Sequence, residues 1–156
     1  MPRAVDGVTI GLAHNRDLAA VRALIIAGLT QRWGDYRRAA NPDLEAFERS
    51  YATASVIVAT RDGEVVGCGI LVAEAPGIAR IVRMSVAAGL QRTGIGGGVL
   101  RALLERAVRL GYAEVVLETS ADWQSAVSFY TRHGFTPIEQ RDGDQHFRFD
   151  LARMRR

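Results

Sequence analysis

Apolar and polar positions alternate along this chain in two rhythms, and the changes of rhythm mark its elements. Val8–Leu12 alternates and predicts a short first strand. From Asn15 or Asp17, either able to cap a helix, Leu18, Val21, Ile25 and Leu29 fall on one helical face, so a helix is expected to about Leu29. Residues 31–41 are polar and aromatic and read as a loop, and Pro42 suits the first turn of a short second helix reaching about Tyr51. Ser55–Thr60 is β-branched and predicts a strand; Arg61-Asp62-Gly63-Glu64 is a hairpin turn, and Val65–Ala73 is the returning strand. After the turn Ala75-Pro76-Gly77 comes a long strand, Ile78–Val86. Straight alternation would turn Arg80, Val82, Met84 and Val86 one way and Ile81, Arg83 and Ser85 the other.

The clearest helix follows a run of glycines. Leu100, Leu103, Leu104, Ala107 and Val108 form a stripe opposite Arg101, Glu105, Arg106 and Arg109, and Gly111 fits the C-terminal cap. Glu114–Glu118 reads as a buried strand. A further helix starts at Ser120 or Asp122 and reaches His133, with Gly134 as its cap; the strands Thr136–Arg141 and Gln145–Ala152 flank an Asp142-Gly143 turn. Hairpins dominate the first half and the centre is strand–helix–strand. The order predicts a single α/β (α+β) domain over residues 1–156, with a mixed, mostly antiparallel sheet and one parallel crossover.

At the junction of Ile78–Val86 with that clearest helix lies Gln91-Arg92-Thr93-Gly94-Ile95-Gly96, followed by Gly97 and Gly98. A strand, a glycine-rich turn and a helix aim free backbone N–H groups at a phosphate, and Arg92 adds a cation inside the turn. The segment therefore predicts a grip on a phosphorylated cofactor.

Composition narrows the classes. The chain has 156 residues and a formal net charge of +3. Every basic residue is an arginine, and they are scattered rather than gathered into a groove interleaved with aromatics, which argues against nucleic acid as partner. Cys68 is the one cysteine and lies in an apolar strand, as a small core residue does. No His/Cys/carboxylate cluster has metal-ligand spacing, no apolar stretch reaches membrane length, and the start does not resemble a signal peptide. A cytoplasmic protein with no metal is expected.

The chain resembles the GNAT superfamily of acyl-CoA-dependent N-acetyltransferases. The resemblance rests on the turn Gln91–Gly96, which matches the family's Q/R-x-x-G-x-G/A signature, and on the strand Ile81–Val86 before it. It also rests on Leu117-Glu118-Thr119-Ser120 followed by Trp123, Ala126, Phe129-Tyr130 and His133-Gly134-Phe135. It covers nearly the whole chain, because the element order fits as well. It implies a sheet of about seven strands with helices on both faces and a central, splayed parallel pair, here Ile78–Val86 and Glu114–Glu118. It also implies acetyl-CoA as cofactor, with the backbone of Met84, Ser85 and Val86 bonding the pantetheine arm. Gln91, Arg92, Thr93, Gly94, Ile95, Gly96 and Gly97 would hold the pyrophosphate. Many relatives are homodimers.

Acetyl transfer to an amine requires that the amine lose its proton, that the oxyanion find donors, and that the departing thiolate receive a proton or hydrogen bond. Unpaired N–H groups near Val86 could serve the oxyanion. Tyr130 is the candidate acid: its phenol is protonated at neutral pH, and it occupies the tyrosine of the family's Tyr-x-x-x-Gly-Phe. Helix position alone favours a core tyrosine beside Phe129; the resemblance is what turns the reading to an acid. Glu118, at a strand end twelve residues before Tyr130, is the candidate base, the spacing that ribosomal-protein acetyltransferases of the family show. A surface or capping carboxylate is its plain alternative, and Glu74 is a reserve base. Many relatives carry an asparagine near position 123; Trp123 here puts that cofactor contact in doubt. The loop with Arg32, Trp33, Tyr36, Arg37 and Arg38 is the expected acceptor side, since guanidinium forks beside aromatics suit a carboxylate or phosphate.

Two other readings compete. A dinucleotide fold would also want an acid near Glu118, but Gly94-x-Gly96-x-Gly98 is not G-x-G-x-x-G, and too little chain follows. A non-catalytic acyl-CoA sensor would share the glycine turn. His146-Phe-Arg-Phe-Asp150 matches the H-x-x-x-D of another acyl-transferase class but lies in a terminal strand. The sequence thus predicts an N-acetyltransferase moving an acetyl group from acetyl-CoA to a primary amine of a small molecule or peptide, by direct transfer in a ternary complex.

Overall fold

The computed structural model describes residues 3–5 and 7–155. Its contacts divide the chain into two compact units, Met1–Val72 with Val82–Leu103, and Ala73–Ile81 with Leu104–Arg156.

In the first unit, β1 (Arg3–Val5), β2 (Val8–Leu12), β3 (Ser55–Arg61) and β4 (Glu64–Ala75) pair in sequence, each antiparallel to the last. β1 was not foreseen. Side chains alternate across this sheet, and each face meets helices. Val56, Val58, Cys68 and Ile70 pack with Val21 and Ile25 of α1 (Leu18–Trp33), with Leu44 of α2 (Pro42–Glu45) and with Phe47 of α3 (Phe47–Ser50). On the opposite face α4 (Ile95–Arg109) comes so near β4 that any added side chain would displace its neighbours: a Cβ on Gly69 would lie 2.6 Å from Leu103 Cδ1 and 2.8 Å from Met84 Sδ. The expected stripe of α4 is correct, with Leu100, Leu103, Leu104 and Ala107 buried.

In the second unit, β5 (Ile78–Val86, shared between the units) runs parallel to β6 (Glu114–Ser120). The latter is antiparallel to β8 (Asp144–Asp150), which is antiparallel to β7 (Thr136–Arg141). Of all these pairings only β5–β6 is parallel, in agreement with the predicted mixed, mostly antiparallel α/β class; there are eight described strands instead of about seven. The parallel register covers Ile78–Arg80 against Glu114–Val116 only, although both strands continue beyond it. One face of β6 and β8 presents Val115, Leu117, Phe147 and Phe149, all buried. Tyr130 of α5 (Gln124–Arg132) packs its ring 5.9 Å from that of Phe147. The other face carries Glu114, Glu118, His146 and Arg148.

Several boundaries differ from the sequence expectation. α1 does not end near Leu29; it continues through Trp33 and stops at Gly34, whose φ of 89° makes the left-handed cap. Residues 31–33 are therefore helix. The second helix is broken at Ala46 into α2 and α3. α5 starts at Gln124, with Trp123 in the N-cap position. The straight alternation expected of β5 fails at Arg83, whose φ is 56°. Such a residue kinks a strand and shifts its side-chain phase. Val82 packs on the α1 side while the Met84 sulfur lies on the α4 side, so these two do not share a face.

Candidate functional site

The glycine turn is built from a chain of backbone bonds. β5 ends at Val86; Ala87 N–H donates to Val66 O at 2.9 Å, and Leu90 N–H donates to Ala87 O at 3.0 Å. The Thr93 hydroxyl donates to Leu90 O at 2.5 Å. Gly89, Arg92 and Gly94 all take left-handed φ values, 87°, 65° and 92°. Glycine is at ease there, while Arg92 is held in a conformation that side chains disfavour. Gln91 to Gly94 are exposed, and the chain then plunges into α4 through Ile95, which is fully buried. The first intrahelical bond is from Gly98 N–H to Gly94 O, 3.0 Å, so the amides of Ile95, Gly96 and Gly97 have no partner within the helix. Three amides at a positive helix end, glycines beside them and an exposed Arg92 fit a diphosphate.

Upstream, Met84 faces α4, while the Ser85 hydroxyl donates to Leu24 O of α1 at 3.4 Å. α1 can come this close because position 28 is glycine; a Cβ there would meet Ser85 Oγ at 2.6 Å. Met84, Ser85, Val86 and the turn Gln91–Gly97 belong to one unit. Arg83, at the kink, sends a two-pronged fork to Asp43 (2.7 and 3.0 Å) and a further bond to Asn41 Oδ1 (3.0 Å). The Tyr51 hydroxyl also donates to Asp43. Burial disfavours the Asp43 charge, but the bonds from Arg83 and Tyr51 outweigh it, leaving the carboxyl below its usual range. Burial, then the Asp43 carboxylate, push the Tyr51 phenol up to about 12.

The segment expected to face the acceptor is tied down by Glu45, which accepts from Tyr36 (2.6 Å), Arg38 (2.7 Å) and Arg22 (3.1 Å). Arg38 is thus internally paired. Arg37 lies 3.6 Å from Asp35 and stays 78% exposed, and the Arg32 guanidinium stacks 4.2 Å over the Trp33 ring. Leu29, Trp33, Asp35, Arg37, Ala40 and Asn41 line a cavity of about 400 Å³.

In the second unit, Glu118 is exposed and ion-paired with Arg80, which also donates to Glu74 from Nε at 2.8 Å and Nη2 at 3.2 Å. Sequence reading did not single out Arg80; a charged residue inside the apolar run Ile78–Val86 was the available signal. Tyr130 is half-buried, with Phe129, Phe135 and Phe147 around its ring at 5.1, 5.9 and 5.9 Å. Burial holds its phenol well above the ordinary tyrosine value, and its hydroxyl has no hydrogen-bond partner among the described residues. Glu118 shares a face with His146, its partner in register, whereas Tyr130 packs against the face that carries Phe147. The two candidate proton-transfer groups therefore flank β6 from opposite sides. Among the described residues no His/Cys/Asp/Glu group could hold a metal ion, and no helix is long and apolar enough to cross a membrane.

Residues 18–135 match the acetyltransferase (GNAT) family. The chain belongs to that family. In structure this GNAT domain is similar to an acetyltransferase of the family from Staphylococcus aureus Mu50, with TM-score 0.81, 18% identity, and 92% of this chain and 99% of that one covered. It is similar also to the paiA N-acetyltransferase of Thermoplasma acidophilum in complex with coenzyme A (TM-score 0.75, 16% identity, 92% and 98% covered). A third is a GNAT acetyltransferase of Elizabethkingia anophelis with acetyl-CoA bound (TM-score 0.70, 17% identity, 93% and 99% covered). At these identities the likeness is one of fold. No curated protein matches the sequence.

Proposed function

We propose that this GNAT protein transfers an acetyl group from acetyl-CoA to a primary amine by direct attack in a ternary complex. Acetyl-CoA, when bound, supplies an activated acyl carbon and a leaving thiolate. The amides of Ile95, Gly96 and Gly97 and the Arg92 guanidinium bind its diphosphate, and the backbone of Met84, Ser85 and Val86 aligns its arm. Glu118 takes the ammonium proton, directly or through water. Tyr130, its proton retained by burial, hydrogen-bonds the departing sulfur.

The observation that carries this reading is the row of amides at Ile95, Gly96 and Gly97 without a partner in α4, beside the exposed Arg92, which suits the diphosphate of an acyl-CoA. Glu118 and Tyr130 are assigned as base and acid by their place in the family pattern. The test is release of free CoA from acetyl-CoA across a panel of amines. Turnover that falls at least ~100-fold in both Glu118→Gln and Tyr130→Phe, the low end of what one acid or base contributes, supports it; unchanged turnover in both refutes the assigned roles. The Arg80 pair on Glu118 is the one feature favouring a non-catalytic acyl-CoA sensor, which would bind acetyl-CoA and acetylate nothing in the panel.

A further inference from the structure

Glu74 and Glu118 share a single guanidinium. Arg80 sits at the last register pair of the parallel ladder, opposite Val116, and Glu118 lies two residues beyond Val116 on the same face. The Arg80 side chain is 22% exposed, and each of its three nitrogens is used. Nε and Nη2 reach both oxygens of Glu74, whereas Nη1 alone reaches Glu118. A two-bonded fork fixes orientation in a way a single bond does not. The bond from Arg80 also holds the Glu74 carboxyl below its usual range.

We propose that Arg80 is a positioning residue anchored by the fork to Glu74, lending Glu118 one hydrogen bond that an incoming ammonium replaces. The inference rests on Glu118 as the base of the proposed reaction. The fork to Glu74 keeps the cation turned toward β4, so that only Nη1 faces Glu118. When the acceptor arrives, Glu118 exchanges one donor for another, and Arg80 stays in place on its other two bonds. No buried charge is stranded in the exchange. The other ionisable groups that the register places on this face are His146 opposite Glu118, Glu139 opposite His146 on β7, Glu114 paired with Arg148 at 3.3 Å, Asp150 opposite Glu114, and Asp144 opposite Ser120 with Arg141 against it; each variant keeps all of them.

The experiment reads the carboxyl ¹³C signal of Glu74 by NMR as the full chain is titrated, and turnover with the best acceptor of the amine panel. In Arg80→Gln the Glu74 transition moves to higher pH, because the guanidinium that holds it down is gone; an unmoved Glu74 transition overturns the proposal. Glu74→Gln, which frees Arg80 to turn wholly to Glu118, should lower kcat/KM about tenfold, and in the Arg80→Gln background it should lose most of that effect. Undiminished kcat/KM in Glu74→Gln, or a full-sized effect of Glu74→Gln without Arg80, overturns the proposal as well. Arg80→Lys keeps the charge without the fork, so it covers the case in which Arg80→Gln unfolds; there Glu74→Gln should lower kcat/KM less than it does in the wild type. Full activity of Glu118→Gln alongside the predicted Glu74 shift would reject the base assignment while leaving the Arg80 arrangement standing.

Discussion

Replacing Gly67 by alanine tests how α4, and with it the row of free amides, is seated. The added Cβ would lie 2.8 Å from Ile95 Cγ2, 3.3 Å from Ala59 Cβ and 3.6 Å from Val99 Cγ2. Carbon atoms prefer about 3.5–4.0 Å, so the Ile95 contact is too short by roughly 0.7 Å or more. Ile95 cannot swing away, since it is fully buried and is the first residue of the helix. Overpacking of this kind costs about 1–3 kcal/mol, and the loss of glycine's freedom in the unfolded chain returns about 0.4–1. The expected net loss is ~1–2 kcal/mol, read as a lower urea midpoint followed by circular dichroism. Ile95→Ala alone should cost ~2–5 kcal/mol through its cavity. In that background Gly67→Ala should be neutral or stabilising, because the methyl it collided with is gone. A double-mutant cycle additive to within about 0.5 kcal/mol would refute the reasoning. The same displacement should weaken coenzyme A binding in Gly67→Ala, because the amide row starts at Ile95.

Three further outcomes follow from the geometry. Tyr130→Phe should lower kcat far more than it changes acetyl-CoA affinity; an equal loss in both, measured by stopped assay and calorimetry, would make the tyrosine a packing residue. Burial pushes the Cys68 thiol up to about 12, so a disulfide reagent at pH 8 should label it only as fast as the chain unfolds; prompt native labelling would contradict its core position. The Asp43 carboxyl is depressed in the folded state, so its pairing stabilises above the ordinary carboxylate range and is lost as pH falls through the lower folded value. Urea midpoints of the wild type and Asp43→Asn should therefore differ at pH 7 and converge on acidification below about pH 4; a constant gap would show that the Asp43 charge contributes nothing.

The sequence was most informative where periodicity and punctuation agree. β5 has its expected bounds, Ile78–Val86, because a Pro-Gly turn opens it and Ala87-Ala88-Gly89, poor strand formers, end it. α4 was legible from its leucine stripe and the glycine run before it. α1 was cut short because Gln31-Arg32 breaks the apolar face, whereas the helix stops only where Gly34 supplies a left-handed cap. The kink at Arg83 could not be read, since arginine carries no local preference for positive φ; its fork to Asp43 and the bond to Asn41 come from residues some forty positions away. Arg80 shows the same limit. Its partners stand 6 and 38 residues off, and only folding makes the two candidate bases neighbours of one cation. Family pattern located Glu118 and Tyr130, but their separation onto two faces of β6 follows from the register with β8.

Isothermal titration of the purified protein with coenzyme A and with acetyl-CoA tests the central claim most directly, namely that the amides opening α4 hold a CoA diphosphate. Saturable heat at a 1:1 ratio is predicted for both ligands, lost when Gly96 is replaced by valine in a chain that keeps its native circular dichroism. Absence of heat with either ligand, or undiminished affinity in the Gly96→Val variant, would contradict the account.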